Sequence, residues 1–408
     1  MIVWSHRNWI VFFEGALPHL LKIVTGLQAT KVAFSLLNGR MDTTTQQGGL
    51  LSLGVFAALT QSTIKGIPAM IRHLTHIGFL VLAVMFPTVQ ADGTVDKVLR
   101  EGRLHCGVGE NLHGFAVKDV QGQWQGFNVD FCRAVAAAIL GDGRAVDFMP
   151  LTPVGALPAL LSGQIDLISA ATLTFGREAA IGLVFPGIYF LDGQSLIVQK
   201  SIGAKRIEDL GKATVCVRKG TTSETAVANA FQRRGLAYQP LVIETLPDTV
   251  RAFKDGRCQA VAGVRSALAA WINHNPDESS RFEILPGYIS MEPMGPVVRQ
   301  GDDRWMALVR WVLYALIEAE EREISRSQVL AQRESASDPI VHRFLVDSGP
   351  LGKPLGLRPD WVIKVIVTVG NYGEMFDRNL GEGSPIKIER AYNRLWKNGG
   401  LLYSPPFQ

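Results

Sequence analysis

The sequence lacks the short motifs that mark several common enzyme classes. It contains no Gly-x-Ser-x-Gly nucleophile elbow, no His-Glu-x-x-His zinc helix and no phosphate-binding P-loop. Its eight histidines are scattered, and its four cysteines do not have the paired spacing of a metal site. We therefore expect no catalytic centre, no metal and no cofactor, and we expect that the protein is not an enzyme.

Charged residues are also few. They make up 19% of the 408 residues, and the net charge of +4 is not gathered into a basic block. This pattern does not form the electrostatic footprint of a nucleic-acid-binding surface. Hydrophobic residues make up 47% of the chain, which is enough to bury a sizeable core in roughly two or three domains. We expect a globular protein with no nucleic-acid partner.

A short apolar run lies at Ile77–Phe86, after the basic residue Arg72. Its ten residues are too few to cross a bilayer as a helix. The segment Val89–Ala91 follows, with the small-x-small pattern of a cleavage site, and this order is typical of a secretory signal peptide. We predict a signal peptide over residues 70–91, cut after Ala91; a short buried helix is the alternative.

The position of this segment is unusual, because 69 residues precede it. Those residues show no coherent hydrophobic periodicity. We expect that translation begins at Met70 and that residues 1–69 are a non-native or disordered upstream segment. A peptide of the exported protein that starts before Asp92 would contradict this. Export through such a signal predicts a periplasmic protein of the Gram-negative type.

Beyond Asp92, short apolar strands alternate with amphipathic helices, which is typical of an α/β fold. Two copies of a strand–helix plan follow each other, joined by extended connectors, and suggest two lobes with a cleft. We predict the first lobe over residues 92–198 and 292–348, the second over 199–291, and a C-terminal extension over 349–408 that packs on the lobes. The segment Glu292–Pro296 is expected to be a connector, and Arg390–Trp396 a last short helix.

The cysteines agree with export, because an even number in an oxidising compartment permits two disulfides. Four cysteines allow three connectivities. We favour Cys106 with Cys132 and Cys216 with Cys258, since each pair falls inside one predicted lobe. Four buried free thiols are the alternative.

The first candidate site is the stretch Ser162–Glu178. An apolar strand there leads into three hydroxyl residues and an arginine: Ser169, Thr172, Thr174 and Arg177. Ligands of open α/β sheets lie beyond the carboxyl ends of strands, and a hydroxyl-rich loop closed by an arginine suits a small carboxylate. The alternative is that Arg177 is a solvated residue at a helix start and the hydroxyls are helix caps.

The second candidate site is the turn Gly220–Glu224, which follows a strand and opens a helix. Its hydroxyl residues are Thr221, Thr222 and Ser223. The N–H groups and hydroxyls there can face an anion at the helix N-terminus, although a capping box closed by Glu224 fits the same residues. A cleft that closes over a ligand needs a binding residue from each lobe, because contacts made only in the closed form favour closure.

Several longer stretches carry a family likeness. They are WQGFNVDFCRAVAAAILGD (124–142), the TLTFGRE loop, VCVRKGTTSE (215–224), GPVVRQGDDRW (295–305) and the C-terminal VGNYGEMFDRNLGEGSPIKIERAYNRLWKNGGLLYSPP. With them, residues 95–408 resemble the periplasmic substrate-binding proteins of polar amino-acid ABC importers, in the branch associated with general L-amino-acid uptake. The resemblance implies a two-lobe, type II periplasmic binding-protein fold that closes over one amino acid by a hinge and delivers it to an inner-membrane permease.

The resemblance also implies roles for individual residues. Arg177 and Thr172 match the positions that hold the ligand α-carboxylate, and Thr222 matches the second-lobe threonine that meets the same group. Ser169 matches a loop position whose carbonyl receives the α-ammonium. Phe115 and Leu112 lie where the family has cleft-wall residues.

The sequence departs from the family at the ammonium site. Val264 stands where the family has an aspartate, and Arg265 brings a positive charge close by. An ammonium without a carboxylate partner in a closed cleft lacks a charge-assisted hydrogen bond but still gives up its hydration. The binding free energy is then weaker by on the order of 2–5 kcal/mol. The first candidate loop is also less polar than in the family, with Ala170, Ala171 and Leu173, and Gly109 replaces a polar residue near the mouth.

Two alternatives follow from these departures. One is a paralogue of the same fold that binds a carboxylate without an α-ammonium, or that has lost binding. The other is an exported dehydratase of the cyclohexadienyl type, for which Glu110 is the candidate acid.

Overall fold

The computed structural model describes residues 2–5, 8–11, 35–36, 41–42 and 93–408. The first four ranges are short strands, β1 (Ile2–Ser5), β2 (Asn8–Val11), β3 (Ser35–Leu36) and β4 (Met41–Asp42), which pair in the order β2-β1-β3-β4. The signal peptide predicted over 70–91 and most of the upstream segment 1–69 lie outside the described residues. Both stay predictions.

Residues 93–408 alternate strands with helices. The strands are β5 (Leu104–Gly109), β6 (Val117–Lys118), β7 (Trp124–Gln125), β8 (Val146–Leu151), β9 (Leu167–Thr172), β10 (Leu183–Val184), β11 (Phe190–Gln199), β12 (Thr214–Arg218), β13 (Gln239–Ile243), β14 (Ala260–Val264), β15 (Phe282–Ile284) and β16 (Ser290–Arg299). The helices are α1 (Thr94–Glu101), α2 (Phe127–Leu140), α3 (Pro153–Leu161), α4 (Phe175–Ile181), α5 (Ser223–Gln232), α6 (Leu246–Lys254), α7 (Arg265–His274), α8 (Pro276–Ser279), α9 (Asp303–Glu321), α10 (Val329–Glu334), α11 (Pro339–His342), α12 (Ser348–Gly352), α13 (Trp361–Val369) and α14 (Tyr372–Asn379). In this part of the chain, no helix combines the length and the apolar character needed to cross a membrane.

One mixed sheet organises these elements. Its strand order is β13-β12-β14-β11-β16-β9-β5-β8, with β15 beside β11 and β10 beside β16. The outer strands pair in parallel, β5 with β8 and β9, and β12 with β13 and β14, whereas β11 and β16 run antiparallel to each other in the middle. The two parallel halves are therefore two lobes, joined through β11 and β16, which we call the hinge strands. This confirms the predicted α/β, two-lobe fold.

Each lobe has its own hydrophobic core. Phe127 and Trp305 are buried in the first lobe, among residues of β5, α2, α9 and α13. Phe231 and Val227, on α5, are buried in the second lobe with residues of β12 and β14. Separate cores are what two units that move about a hinge need, because each can stay packed while the angle between them changes.

Both predicted disulfides are present. Cys106, on β5, is bonded to Cys132 on α2, and Cys216, on β12, is bonded to Cys258 just before β14. Each bridge lies within one lobe and joins a sheet strand to its neighbouring element. The pairing deduced from the two-lobe layout is therefore confirmed.

The C-terminal extension contacts the lobes and a hinge strand. Helix α13 packs against α2, and the hydroxyl of Tyr372 donates a hydrogen bond of 2.7 Å to the carbonyl oxygen of Tyr189. The side chain of Asn393 pairs with both backbone groups of Leu191 on β11: it accepts from the N–H at 2.7 Å and donates to the carbonyl at 2.9 Å. The extension thus fastens one end of a hinge strand.

Two local expectations were wrong. The segment Glu292–Pro296 belongs to strand β16 rather than to a connector, because β11 on one side and β9 on the other both pair with it. The register with β9 shifts between Gly295 and Val297, which accommodates the missing N–H of Pro296. The helix expected over Arg390–Trp396 is instead two 3₁₀ turns, at Ala391–Asn393 and Trp396–Asn398.

Candidate functional site

The predicted site begins where β9 runs into α4. The strand extends to Thr172, beyond the point expected from the sequence, because Thr172 and Ala171 pair with Met294 and Gly295 of β16. Ser169 therefore lies inside a strand, fully buried, and not in a loop as predicted. Sheet pairing has overridden the turn tendency of the hydroxyl residues.

The hydroxyl of Thr174 caps helix α4 by accepting a hydrogen bond of 3.2 Å from the N–H of Arg177. This is the helix-cap role that the sequence left open as an alternative. The cap fixes Arg177 in the first turn of the helix. The arginine side chain is then directed back over the end of β9, toward the second lobe.

The guanidinium of Arg177 joins the two lobes. Its Nη1 donates to the carbonyl oxygen of Thr172 at 2.7 Å, and its Nη2 donates to the carbonyl oxygen of Gly220 at 3.4 Å. Burial lowers the pKa of Arg177 below its ordinary value, and the negative charge of Glu292 acts in the opposite direction. Within the described chain its hydrogen-bond acceptors are carbonyl oxygens, so it keeps N–H donors for an anionic ligand.

The turn after β12 brings the second lobe against the first. Gly220 has a left-handed φ of 73°, and a Cβ there would lie 2.9 Å from the side chain of Val154 at the start of α3. The backbone of the turn is therefore in close contact with the first lobe. The side chain of Glu224 accepts from the N–H of Gly220 at 2.7 Å, and Thr221 donates to the carbonyl of Arg218 at 2.6 Å. Thr221 thus closes its own turn.

Thr222 takes part in a partly buried polar network. Its hydroxyl donates to Oε2 of Glu292 at 2.8 Å and accepts from Nε2 of Gln194 at 3.0 Å. Ser223 donates to Oε1 of the same Gln194 at 2.9 Å, and Ser290 donates to Oε1 of Glu292 at 2.8 Å. The helix start that the sequence assigned to the ligand carboxylate is thereby connected to both hinge strands.

Two carboxylates face each other across the hinge strands. Asp192 on β11 and Glu292 on β16 are register partners, and both are buried. Asp192 accepts hydrogen bonds from the N–H of Gly193 at 2.8 Å, and from the N–H of Ser266 at 3.1 Å and its hydroxyl. Burial raises the pKa of Asp192, and the charge of Glu292 raises it further. Asp192 serves as a fixed anchor for the start of α7.

Val264 lies where sheet and helix meet. It precedes α7 and is the register partner of Gln194 on β11. The side chain of the neighbouring Arg265 extends away from Val264. Its Nη1 donates to Ser195 Oγ at 3.2 Å and to the carbonyl of Leu285 at 2.9 Å. Since Ser195 and Gln194 alternate along one strand, Arg265 lies on the other face of the sheet from the polar network.

Arg218 and Glu110 form a pair of opposite charges, one from each lobe. Arg218 ends β12 in the second lobe, and its Nε is buried without a hydrogen-bond partner. Burial lowers the pKa of Arg218, while the charge of Glu110, just after β5 in the first lobe, opposes that shift. Both residues stand at the carboxyl ends of parallel strands, where ligands of α/β sheets bind.

The two predicted wall residues differ in position. Phe115 is buried in the first core, where its ring lies edge-on to Phe190 with centroids 5.5 Å apart. Its ring therefore belongs to the core. Leu112 lies over Gly109, whose Cβ would come within 2.5 Å of the leucine side chain. The absence of a side chain at Gly109 makes room for Leu112.

The structure thus brings Arg177, Thr172 and Thr222 to one region between the lobes. Sequence reasoning missed the polar residues of the hinge strands and the arginine that ends β12: Asp192, Gln194, Glu292 and Arg218. A signal was present, because FLDGQSLIV and SMEPMGPVV place polar side chains inside otherwise apolar strands. A buried polar residue in a strand needs a partner, so it marks either a network or a site.

Comparisons with known proteins agree with this arrangement. Residues 104–327 match the family model of bacterial extracellular solute-binding proteins, family 3. The chain is 43% identical over 335 residues to the general L-amino acid-binding periplasmic protein AapJ of Rhizobium johnstonii, which covers 81% of this chain and 97% of that relative. It is 39% identical over 332 residues to the glutamate/glutamine/aspartate/asparagine-binding protein BztA of Rhodobacter capsulatus, covering 81% of this chain and 98% of that one.

Among solved structures, a periplasmic binding protein of an ABC transporter from Brucella ovis, with glutathione bound, is similar at 40% identity and a TM-score of 0.74. The match covers 78% of this chain and all of that one. The fold, the polar site between two lobes and the length of these matches lead to one assignment. This chain belongs to the bacterial extracellular solute-binding proteins of family 3.

Proposed function

We propose that this protein is an extracytoplasmic receptor that binds an L-amino acid between its lobes and delivers it to an inner-membrane ABC permease. The observation that carries the proposal is the guanidinium of Arg177. It lies between the lobes, keeps donors free, and reaches the second lobe at the carbonyl of Gly220. Relatives named as amino-acid-binding proteins, similar over nearly their whole length, support it.

The ligand carboxylate would bind Arg177 beside Thr172 and the turn that contains Thr222. The bond from Arg177 to Gly220 is long at 3.4 Å, so an incoming carboxylate can replace it at small cost. The ligand would then join the lobes in place of the direct bond. Closure about β11 and β16 follows, because these contacts exist only when the lobes meet.

The ligand side chain would extend toward Arg218 and Glu110. The unpartnered Nε of Arg218 can donate to a side-chain carboxylate or amide oxygen, and Glu110 can accept from an amide N–H. This pair would favour acidic and amide side chains over apolar ones. The name of the relative BztA, a glutamate/glutamine/aspartate/asparagine-binding protein, supports a preference for acidic and amide side chains.

We place the first lobe over 92–198 and 292–348, the second over 199–291, and the extension over 349–408. The protein would be exported by the segment 70–91 into the periplasm, an oxidising compartment in which the two disulfides persist. It would act as a binding protein without catalysis. The ligand without an α-ammonium and the dehydratase are not favoured by these relatives.

A thermal-shift screen of the purified protein tests this function. The probes are the twenty L-amino acids, simple dicarboxylates and, as controls, the D-enantiomers. A ligand held near 100 times its Kd stabilises the folded state by about 2.7 kcal/mol, which is a readable shift. We expect stabilisation by L-glutamate, L-glutamine or a related L-amino acid and none by its enantiomer. No shift with any L-amino acid would refute the proposal.

A further inference from the structure

We propose that Glu292, a buried carboxylate whose hydroxyl donors include Thr222, receives the α-ammonium of the ligand. This inference rests on the proposed amino-acid-binding function. It gives the hinge strand β16 a second function, because this strand would contact the ligand as well as connect the lobes.

The first step is position. Val264, Gln194 and Ser290 are register partners across three adjacent strands, so their side chains lie on one face of the sheet. Glu292 lies two residues beyond Ser290 on the same strand and therefore on the same face. Its carboxylate accepts a hydrogen bond from Thr222, the residue assigned to the ligand carboxylate. Glu292 is thus a carboxylate on the same face of the sheet as Val264, where the resemblance described above implies an aspartate.

The second step is charge. Glu292 is 3% exposed, and within residues 93–408 its hydrogen-bond donors are the hydroxyls of Thr222 and Ser290. A buried carboxylate normally has a cationic or amide partner, because two neutral hydroxyls only partly replace its hydration. Arg177 lies near enough to be affected by this charge but bonds to carbonyl oxygens instead. A ligand ammonium would supply the missing cation.

The third step separates Glu292 from its neighbour Asp192. Asp192 accepts from the N–H of Gly193 on its own strand, and from the N–H and hydroxyl of Ser266, which fix it to the start of α7. The partners of Glu292 are hydroxyl groups, which can rotate and donate elsewhere without moving the backbone. Glu292 can therefore turn toward a new donor without breaking a hydrogen bond to the backbone, whereas Asp192 cannot.

The arrangement also sets specificity. A ligand carboxylate bound to Arg177 and Thr222 comes close to Glu292, and two carboxylates repel each other in a buried site. An ammonium between them removes the repulsion and gains a charge-assisted hydrogen bond. Glu292 would thus select α-amino acids over the same acids without the amino group.

Calorimetric titration with paired probes tests the inference. The probes are L-glutamate with glutarate, and L-glutamine with glutarate monoamide, each pair differing by the α-amino group. The intact protein should bind the amino acid at least about tenfold more tightly than its partner, and Glu292→Gln should bring that ratio close to one. The matched variant Asp192→Asn should lower thermal stability and keep the ratio.

Three results would overturn the inference. The first is equal affinity of the unmodified protein for both members of each pair, which needs no variant and no assumption about folding. The second is a Glu292→Gln protein, folded by circular dichroism, with an unchanged ratio. The third is binding of no probe by the unmodified protein; combined with no thermal shift for any of the twenty L-amino acids, this result would refute the proposed function itself.

Discussion

The imidazole rings of His113 and His274 stack across the two lobes, with centroids 3.8 Å apart and an angle of 22° between the ring planes. His113 follows β5 in the first lobe, and His274 ends α7 in the second. Burial lowers the pKa of His113, and the nearby charge of His274 lowers it further. The neutral form of His113 is therefore favoured.

A pH dependence of stability follows from this pair. A histidine with a lowered pKa in the folded state binds fewer protons there than in the unfolded chain, so stability rises with pH. The contribution is fully present above the ordinary value of about 6.5 and is lost as the pH falls below it. Denaturant unfolding between about pH 7.5 and about pH 5.5 should show this loss.

The variant His274→Gln should reduce that loss, because His113 then has no like charge opposite it. His342→Gln, an exposed histidine on α11, serves as the control and should keep the pH dependence of the unmodified protein. A His274→Gln protein with the same pH dependence as the control would show that His274 does not lower the pKa of His113.

The contact between Asn393 and β11 predicts a stability change far from the site. Replacing Asn393 with alanine leaves the N–H and carbonyl of Leu191 without their partners, which should cost about 1–3 kcal/mol of unfolding free energy. Chemical denaturation measures the change. Asn398→Ala, at an exposed position in the same extension, should be close to neutral. Equal effects of the two substitutions would exclude a specific role for Asn393.

Much of this arrangement could be predicted from the sequence, because it depends on local pattern. The alternation of apolar strands with helices predicted the α/β fold, and the lobe layout predicted which cysteines pair. Helix α6 (Leu246–Lys254) likewise begins at a local signal, because Thr245 caps it by accepting from the N–H of Asp248. The loop after β9 yielded Arg177, since a cap and an arginine at a strand end are local signals.

The parts that could not be predicted depend on residues far apart in sequence. Glu292 looked like part of a connector, because two prolines near it are unusual in a strand, and only pairing with β11 and β9 makes it one. Phe115 looked like a wall residue until its contact with Phe190 placed it in the core. The link between Thr222 and Glu292 spans 70 residues and has no local signature.

The pair of Arg218 and Glu110 predicts a change in ligand preference. In Arg218→Met, the affinity for L-glutamate should fall about tenfold or more, because a charged donor to the side-chain carboxylate is lost. The affinity for L-alanine, which does not reach the pair, should change by less than about threefold. Titration calorimetry with both ligands measures the difference.

The exposed neighbour Lys219 provides the matched control for this experiment. Lys219→Met removes the same charge from the same turn and should leave both affinities nearly unchanged. Equal weakening of L-glutamate and L-alanine by Arg218→Met would mean that Arg218 supports the lobe rather than the ligand side chain.

The most direct test of the account is the affinity of Arg177→Ala for the L-amino acid that stabilises the unmodified protein most. Loss of the charge-assisted bonds to the ligand carboxylate predicts an affinity about 10- to 100-fold lower, with folding retained by circular dichroism. Arg144→Ala, whose side chain is 90% exposed, should bind normally. An Arg177→Ala protein that binds within about threefold of the unmodified one would contradict the proposed carboxylate anchor.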